Sequence, residues 1–207
     1  MYYFFAFILL VITNVSFAQD NSKKEGLMTN YASFIMYHRF GENRYPSTNI
    51  KKEQFLKHIN ELLKPKYNVI NIEQALDAIN NKKLVKDRSV VITIDDAYSS
   101  VFNYAWPIFK KHNIPFTLFV STDVIDNNTP GYMSWEEVRI LRDNGITIGS
   151  QTKSHPHMYN LDKQMIISEL SMSNKRFVDE IGSQPKIFAS PYGEYNLEVL
   201  EQVKLHG

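Results

Sequence analysis

The feature that most constrains this chain is the alternation of short, apolar, strand-like runs with longer helical patterns. Strand-like runs occur at Ser33–Tyr37, Asn68–Ile72, Val90–Ile94, Phe116–Ser121, Ile146–Ser150 and Lys186–Ser190. Helical patterns fill the intervals: Glu53–Leu63, Ile72–Asn80, Ser100–His112, Ser134–Asn144, Asp162–Ile181 and Glu194–His206. The helical period is clearest in Phe55, Ile59, Leu62 and Leu63, and again in Val138 and Leu141. Asp162 and Ser134 are suited to N-caps, and Gly145 and Gly182 follow helix ends. Pro107 has no N–H to donate, so it kinks or divides the Ser100–His112 helix. Strands separated by helices need crossover connections, which implies βαβ units and a parallel sheet. The expected fold class is α/β. Six strands are too few to close a parallel barrel, and the last helical pattern is followed by no strand. A barrel lacking its last strand or strands is therefore expected in preference to an open sheet.

Composition narrows the function classes. The 207 residues are 43% apolar and 22% charged, ordinary for a globular domain, which excludes disordered and fibrous classes. Lys and Arg number 23 against 22 Asp and Glu, and the lysine pairs (Lys23–Lys24, Lys51–Lys52, Lys82–Lys83, Lys110–Lys111) are scattered. No nucleic-acid partner is expected, because there is no basic footprint. The lack of cysteine excludes a cysteine-linked lipid anchor, a Cys nucleophile and a thiolate metal site, while fitting export and the cytosol equally. Tyr2–Ile12 is an unbroken apolar run, well short of the roughly twenty residues that cross a bilayer. Small residues at Ser16 and Ala18 precede a cleavage point before Gln19, although no Lys or Arg precedes the run. Residues 1–18 are thus expected to be a signal peptide, 19–30 a polar linker and 31–207 the functional domain. That places the mature protein in the periplasm or outside the cell, with no stable membrane span after signal removal. The oligomeric state is left open.

Parallel α/β folds gather reactive groups where strands end and loops begin. Four segments meet that condition: His38-Arg39, Asp95-Asp96-Ala97-Tyr98, Gln151-Thr152-Lys153-Ser154-His155-Pro156-His157, and Pro191-Tyr192-Gly193. Two adjacent carboxylates on extended backbone point apart and can hold different tasks. One can ligate a divalent metal, and the other can take a proton from water there, whose pKa falls from about 15.7 to about 7. His155 is a nitrogen ligand for a zinc-like ion. The Pro191-Tyr192-Gly193 turn can aim a backbone N–H at a developing oxyanion. Each piece also has a plain reading: an Asx turn with a helix cap, a loop histidine, an ordinary turn. Their shared placement on one rim favours chemistry.

These residues resemble the polysaccharide deacetylase family, the nodulation-protein-B homology domain that includes chitooligosaccharide deacetylases. Thr93-Ile94-Asp95-Asp96-Ala97 is similar to its first motif, T-F-D-D-G. Gln151-Thr152-Lys153-Ser154-His155 is similar to its second, H-[ST]-x-x-H, and Ala189-Ser190-Pro191-Tyr192-Gly193 to its third, R-x-P-Y-G. Tyr37-His38-Arg39 and Ile114-Pro115-Phe116-Thr117 also look like that family, and the likeness runs from about Tyr31 to the end. The resemblance implies a distorted (β/α) barrel of parallel strands and metal-dependent removal of N- or O-acetyl groups from a polysaccharide or oligosaccharide. N-acetylglucosamine-containing polymers of the cell envelope are the leading carbohydrate partner. By matching positions, Asp95 is the general base, Asp96 and His155 are metal ligands, and Tyr192 lends its backbone N–H to the oxyanion hole. Pro191 and Tyr192 border the substrate. The implied cofactor is a divalent metal, zinc first, with cobalt or nickel as alternatives.

Four departures bear on this. Gln151 stands where the family has its first metal histidine, and a neutral carboxamide oxygen is a weaker donor than imidazole, so metal affinity is expected to fall. His157 and His38 are possible substitutes. Ala189 replaces the arginine that orients the catalytic carboxylate, and Ala97 replaces a glycine. The family's general-acid histidine belongs to a strand later than any in this sequence, and His206, inside the last helical pattern, is a poor replacement. Two other readings follow: a catalytically weakened carbohydrate-binding barrel, and hydrolysis of another small ester or amide. Trp106 and Trp135 are expected in packing rather than against sugar rings, and His58 and His112 on helix surfaces.

Overall fold

The computed structural model describes residues 3–5 and 27–206. Its centre is a seven-stranded sheet built from β1 (Tyr3–Phe5), β2 (Ser33–Tyr37), β3 (Asn68–Val69), β4 (Ser89–Ile94), β5 (Thr117–Val120), β6 (Thr147–Ser150) and β7 (Ile187–Ala189). The order is β1-β7-β6-β5-β4-β2, with β3 beside the first half of β4, and every pairing in this sheet is parallel. Helices α1 (Lys52–Leu62), α2 (Ile72–Asn80), α3 (Trp106–Lys111), α4 (Thr122–Asp126), α5 (Trp135–Asp143), α6 (Lys163–Ile181) and α7 (Leu197–His206) lie along the connections. The sheet curls into a half-barrel, the α/β class expected from the alternation. No helix among the described residues is long and apolar enough to cross a membrane.

All six expected strands are present. Asn68–Ile72 shortens to two residues because Asn71 leaves the sheet to cap α2, its side chain accepting from the Gln74 N–H at 2.8 Å. Pro107 divides its helix as anticipated: Val101–Ala105 winds as a wide turn in which the Trp106 N–H reaches back to the Val101 carbonyl, and α3 begins there with the proline in its first turn. Ser134 and Asp162 cap α5 and α6, and Gly182 closes α6 at φ +79°. Helix α4 was not legible, since five residues are too few to display a period. The expected signal peptide and linker fall mostly outside the described residues. Tyr3–Phe5 pairs with β7, Tyr3 opposite Ile187 and Phe5 opposite Ala189.

Side-chain alternation positions the site. Strand β4 is buried along its whole length, as a parallel strand covered on both faces must be. Val90, Ile92 and Ile94 pack outward with Phe55, Phe109 and Leu118 under the helices. Val91 faces inward with Phe34, Phe119 and Ile187, and Ile72, Ala75 and Leu76 of α2 fill that concave side. Carried past the strand ends, the same parity sends His38 after Phe34 and Met36, Asp95 after Val91 and Thr93, and Gln151 after Gly149 to the concave face.

Gly149 of β6 allows a close approach inside the sheet. A Cβ there would stand 2.5 Å from the Phe119 ring and 3.1 Å from the Ile187 carbonyl oxygen. Gly149→Ala is expected to cost about 1–3 kcal/mol by overpacking. Urea unfolding checks this: the midpoint should fall while the slope stays constant.

Candidate active site

The end of β4 is a sharp turn. The Asp95 N–H still donates to the Tyr37 carbonyl at 2.9 Å, in sheet fashion, but Asp96 and Ala97 then adopt φ of +71° and +52°. Left-handed backbone at non-glycine residues costs on the order of 1–3 kcal/mol each and persists where the surroundings enforce it. Here the Met133 N–H holds the Ala97 carbonyl at 2.9 Å and Tyr98 packs on Tyr132. The turn parts the two carboxylates. Asp95 points into the concavity, 8% exposed, with Gln151 Nε2 at 3.5 Å and His38 Nε2 at 3.9 Å. Asp96 Oδ1 lies 3.5 Å from His155 Nε2.

The loop after β6 is similarly bent, with Thr152 at φ +70° and His155 at φ +57°. Glu169 of α6 fastens it, accepting from the Lys153 and Ser154 N–H groups at 3.0 and 2.8 Å and from the Ser154 hydroxyl at 2.7 Å. From the other side Lys153 Nζ meets Asp123 at 2.8 Å. The Thr152 hydroxyl accepts from the His155 N–H at 3.1 Å, which sets the imidazole facing Asp96. After β7, Tyr192 is left-handed at φ +57°. Its ring meets His155 edge to face at 4.7 Å and stacks on His157 at 3.9 Å, and His157 is tied to Glu194 at 2.9 Å.

Electrostatics distinguish the two acids. Burial, and then the neighbouring Asp96 charge, push the Asp95 carboxyl up to about 7, with the Gln151 N–H opposing the rise. Burial lowers His38 and His155 below the ordinary histidine range, against the opposite pull of Asp96. Neutral imidazoles beside a buried carboxyl are suited to accepting protons or a cation.

Among the described residues no three His, Cys, Asp or Glu side chains converge as a ligand set. Gln151 stands beside Asp95, and its Oε1 is buried with no hydrogen-bond partner among the described residues. An orphaned acceptor in the wall of a charged cleft is what a cation would satisfy. Carboxylate, imidazole and carboxamide oxygen form a donor set that fits a divalent ion of the zinc, cobalt and nickel class, with weaker grip than a second imidazole would give.

The structure thus brings Asp95, Asp96, Gln151, His155 and Tyr192 to one rim, with Pro191 buried beneath Tyr192, which is half exposed. Of the possible substitute donors, His38 faces Asp95 while His157 is committed to Glu194 and Tyr192. His206 bonds the Gln202 carbonyl within α7. Trp106 and Trp135 are core residues, and Trp135 donates to Asp126 at 2.7 Å. His58 is exposed on α1, with Nδ1 2.8 Å from the Tyr37 hydroxyl. Sequence reasoning did not find the position of His38 opposite Asp95 or the fastening role of Glu169. Strand parity was the available signal for the first. For the second there was none, because Glu169 reads as one more polar residue on a helix. A cavity of about 560 Å³ lies at the opposite end of the sheet, against Glu73, Leu76, Thr147 and Ile187, and no motif residue lines it.

A sequence model described as polysaccharide deacetylase matches residues 82–207, which contain all three motifs. YxkH of Bacillus subtilis is 27% identical over 173 residues, 84% of this chain and 61% of that protein. A poly-beta-1,6-N-acetyl-D-glucosamine N-deacetylase of Staphylococcus aureus is 25% identical over 193 residues, 86% of this chain and 65% of that one. The chain therefore spans a little under two thirds of the length of these relatives. A solved de-N-acetylase from Aggregatibacter actinomycetemcomitans superposes with a TM-score of 0.74 at 24% identity, covering 85% of each chain, a likeness of fold. With more than half of its length matched by that sequence model, and with the motif residues gathered on one rim of the half-barrel, this chain belongs to the polysaccharide deacetylase family.

Proposed function

We propose that this chain is a metal-dependent hydrolase that removes acetyl groups from an N-acetylated polysaccharide or oligosaccharide of the cell envelope, acting outside the cytoplasm. The observation that carries the reading is Asp96 facing His155 at 3.5 Å beside a buried Asp95 whose proton affinity is matched to neutral pH. Asp96, His155 and the Gln151 oxygen would hold the metal. When bound, the ion would polarise the acetyl carbonyl and acidify water. Asp95 takes the proton from the attacking water, which its value near 7 permits at little cost in either direction. The oxyanion that develops on the carbonyl meets the Tyr192 N–H, second in its helical turn, where backbone donors lack intrahelical partners. Collapse breaks the C–N bond and requires a proton on the leaving nitrogen. His38, 3.9 Å from Asp95 and neutral at rest, would relay the proton from Asp95 through one intervening water, its transient positive charge favoured by Asp96. The products are acetate and an amine.

His38→Gln is expected to lower kcat about 100-fold while leaving KM and metal affinity within about twofold. Unchanged turnover would leave Asp95 as the sole carrier of the proton.

The overall test is acetate release from β-1,4- and β-1,6-linked N-acetylglucosamine oligomers, with zinc, cobalt or nickel added to metal-free protein. One new amine per acetate supports the reading. Saccharide binding that survives a chelator, with no turnover, would replace it with the weakened carbohydrate-binding barrel. Turnover confined to small acetyl esters would replace it with a general esterase. Cell fractionation of the full chain tests the location.

A further inference from the structure

We propose that Gln151 is a positioning residue for the base: the nitrogen end of its carboxamide fixes the Asp95 carboxylate, while the oxygen end stays available to the cation. The inference rests on the deacetylase reading above. Gln151 is 3% exposed and its backbone is fastened on both sides, the N–H donating to the Val120 carbonyl at 2.9 Å and the carbonyl accepting from the Ser121 hydroxyl at 2.8 Å. Strand parity points its side chain into the concavity, where Nε2 reaches Asp95 Oδ2 at 3.5 Å. Ala189 of β7, also on the concave side, carries only a methyl group and cannot donate to Asp95. His38 stands at 3.9 Å, beyond hydrogen-bond range. The base is therefore oriented by the carboxamide. Because Oε1 is buried with no partner among the described residues, the same group would be free to hold the ion when it is bound. The residue that weakens the metal set by replacing an imidazole gains a second task in the same place.

The test compares wild type with Gln151→Met and Gln151→Glu, reading zinc affinity by calorimetry and acetate release at saturating zinc. Methionine keeps the length of the side chain but has no N–H. We expect kcat about 10- to 100-fold lower, with KM within about twofold, and zinc affinity several-fold weaker. Glutamate offers the ion a charged oxygen but sets a carboxylate against Asp95. Zinc affinity should rise while kcat falls, opposite movements that a ligand-only or purely structural role would not produce. Thermal unfolding confirms that each variant is folded, and if methionine is not tolerated the glutamate variant decides. The proposal is overturned if saturating zinc returns both variants to wild-type kcat, or if glutamate raises affinity and turnover together. Active wild type with unaffected variants removes the role of Gln151 alone. Wild type inactive on every acetylated substrate removes the deacetylase reading with it.

Discussion

Asp95→Asn is expected to bring acetate release below detection and, in metal-free protein at pH 8, to raise stability. The activity loss follows from removing the proton acceptor, a change worth about 10²–10⁴ in rate for a well-placed base. The stability gain follows from burial. Asp95 is pushed from 3.8 up to about 7, chiefly by desolvation and then by the charge of Asp96. A carboxyl whose folded value exceeds its unfolded one favours folding most where both states are protonated, below about pH 4. That contribution is lost between about pH 4 and pH 7, where the unfolded chain ionises before the folded one. Above pH 7 the folded protein carries a buried charge that costs on the order of 2–4 kcal/mol. Asparagine keeps the shape and discards the charge. Urea midpoints should therefore separate at pH 8 and converge at pH 4. A variant that turns over normally would remove Asp95 as the base, and a stability gain of equal size at both pH values would remove burial as its cause.

Asp96→Asn and His155→Ala are expected to weaken zinc binding at least about 100-fold and to abolish most of the stabilisation that zinc confers. Ligand that binds only the folded state adds RT ln(1 + [L]/Kd), about 2.7 kcal/mol at a hundredfold excess over Kd. A variant whose Kd has risen a hundredfold gains about 0.4 kcal/mol at the same zinc concentration. The thermal midpoint of wild type should thus climb with zinc while those of the variants barely move. Both residues face each other across 3.5 Å, so either substitution should act on the same ion. If both variants respond to zinc as wild type does, the metal lies elsewhere. Metal-free Asp96→Asn has a second consequence: with the adjacent charge gone, the Asp95 carboxyl should move down toward its ordinary range.

The motif positions were legible because each is local. Asp95-Asp96 directly follows an apolar strand, His155 follows another by a few residues, and Pro191-Tyr192-Gly193 sits on the turn after a third. Helix ends were legible for the same reason, since caps such as Ser134 and Asp162 act on backbone three residues away. Helix α4 was not, because five residues show no period, and Pro107 announced a break in its helix but not that the break would be a wide turn. The left-handed backbone of Asp96, Ala97, Thr152, His155 and Tyr192 was also invisible, since none of these residues announces a positive φ as glycine does. Surrounding hydrogen bonds and packing impose it.

By itself the sequence determined the α/β class, the parallel connections and the strand-end segments that hold the motif residues, because period, caps and turn residues act within a few positions of one another. Tertiary structure decided that Gln151 reaches Asp95 across 56 residues of chain, that His38, sent to the concave face by strand parity, stands opposite the same carboxyl, and that Glu169 holds the histidine loop in place. Those relations depend on the order and register of β2, β4 and β6 around a curled sheet, and that register is set by how Val91, Phe119, Gly149 and Ile187 pack inside it.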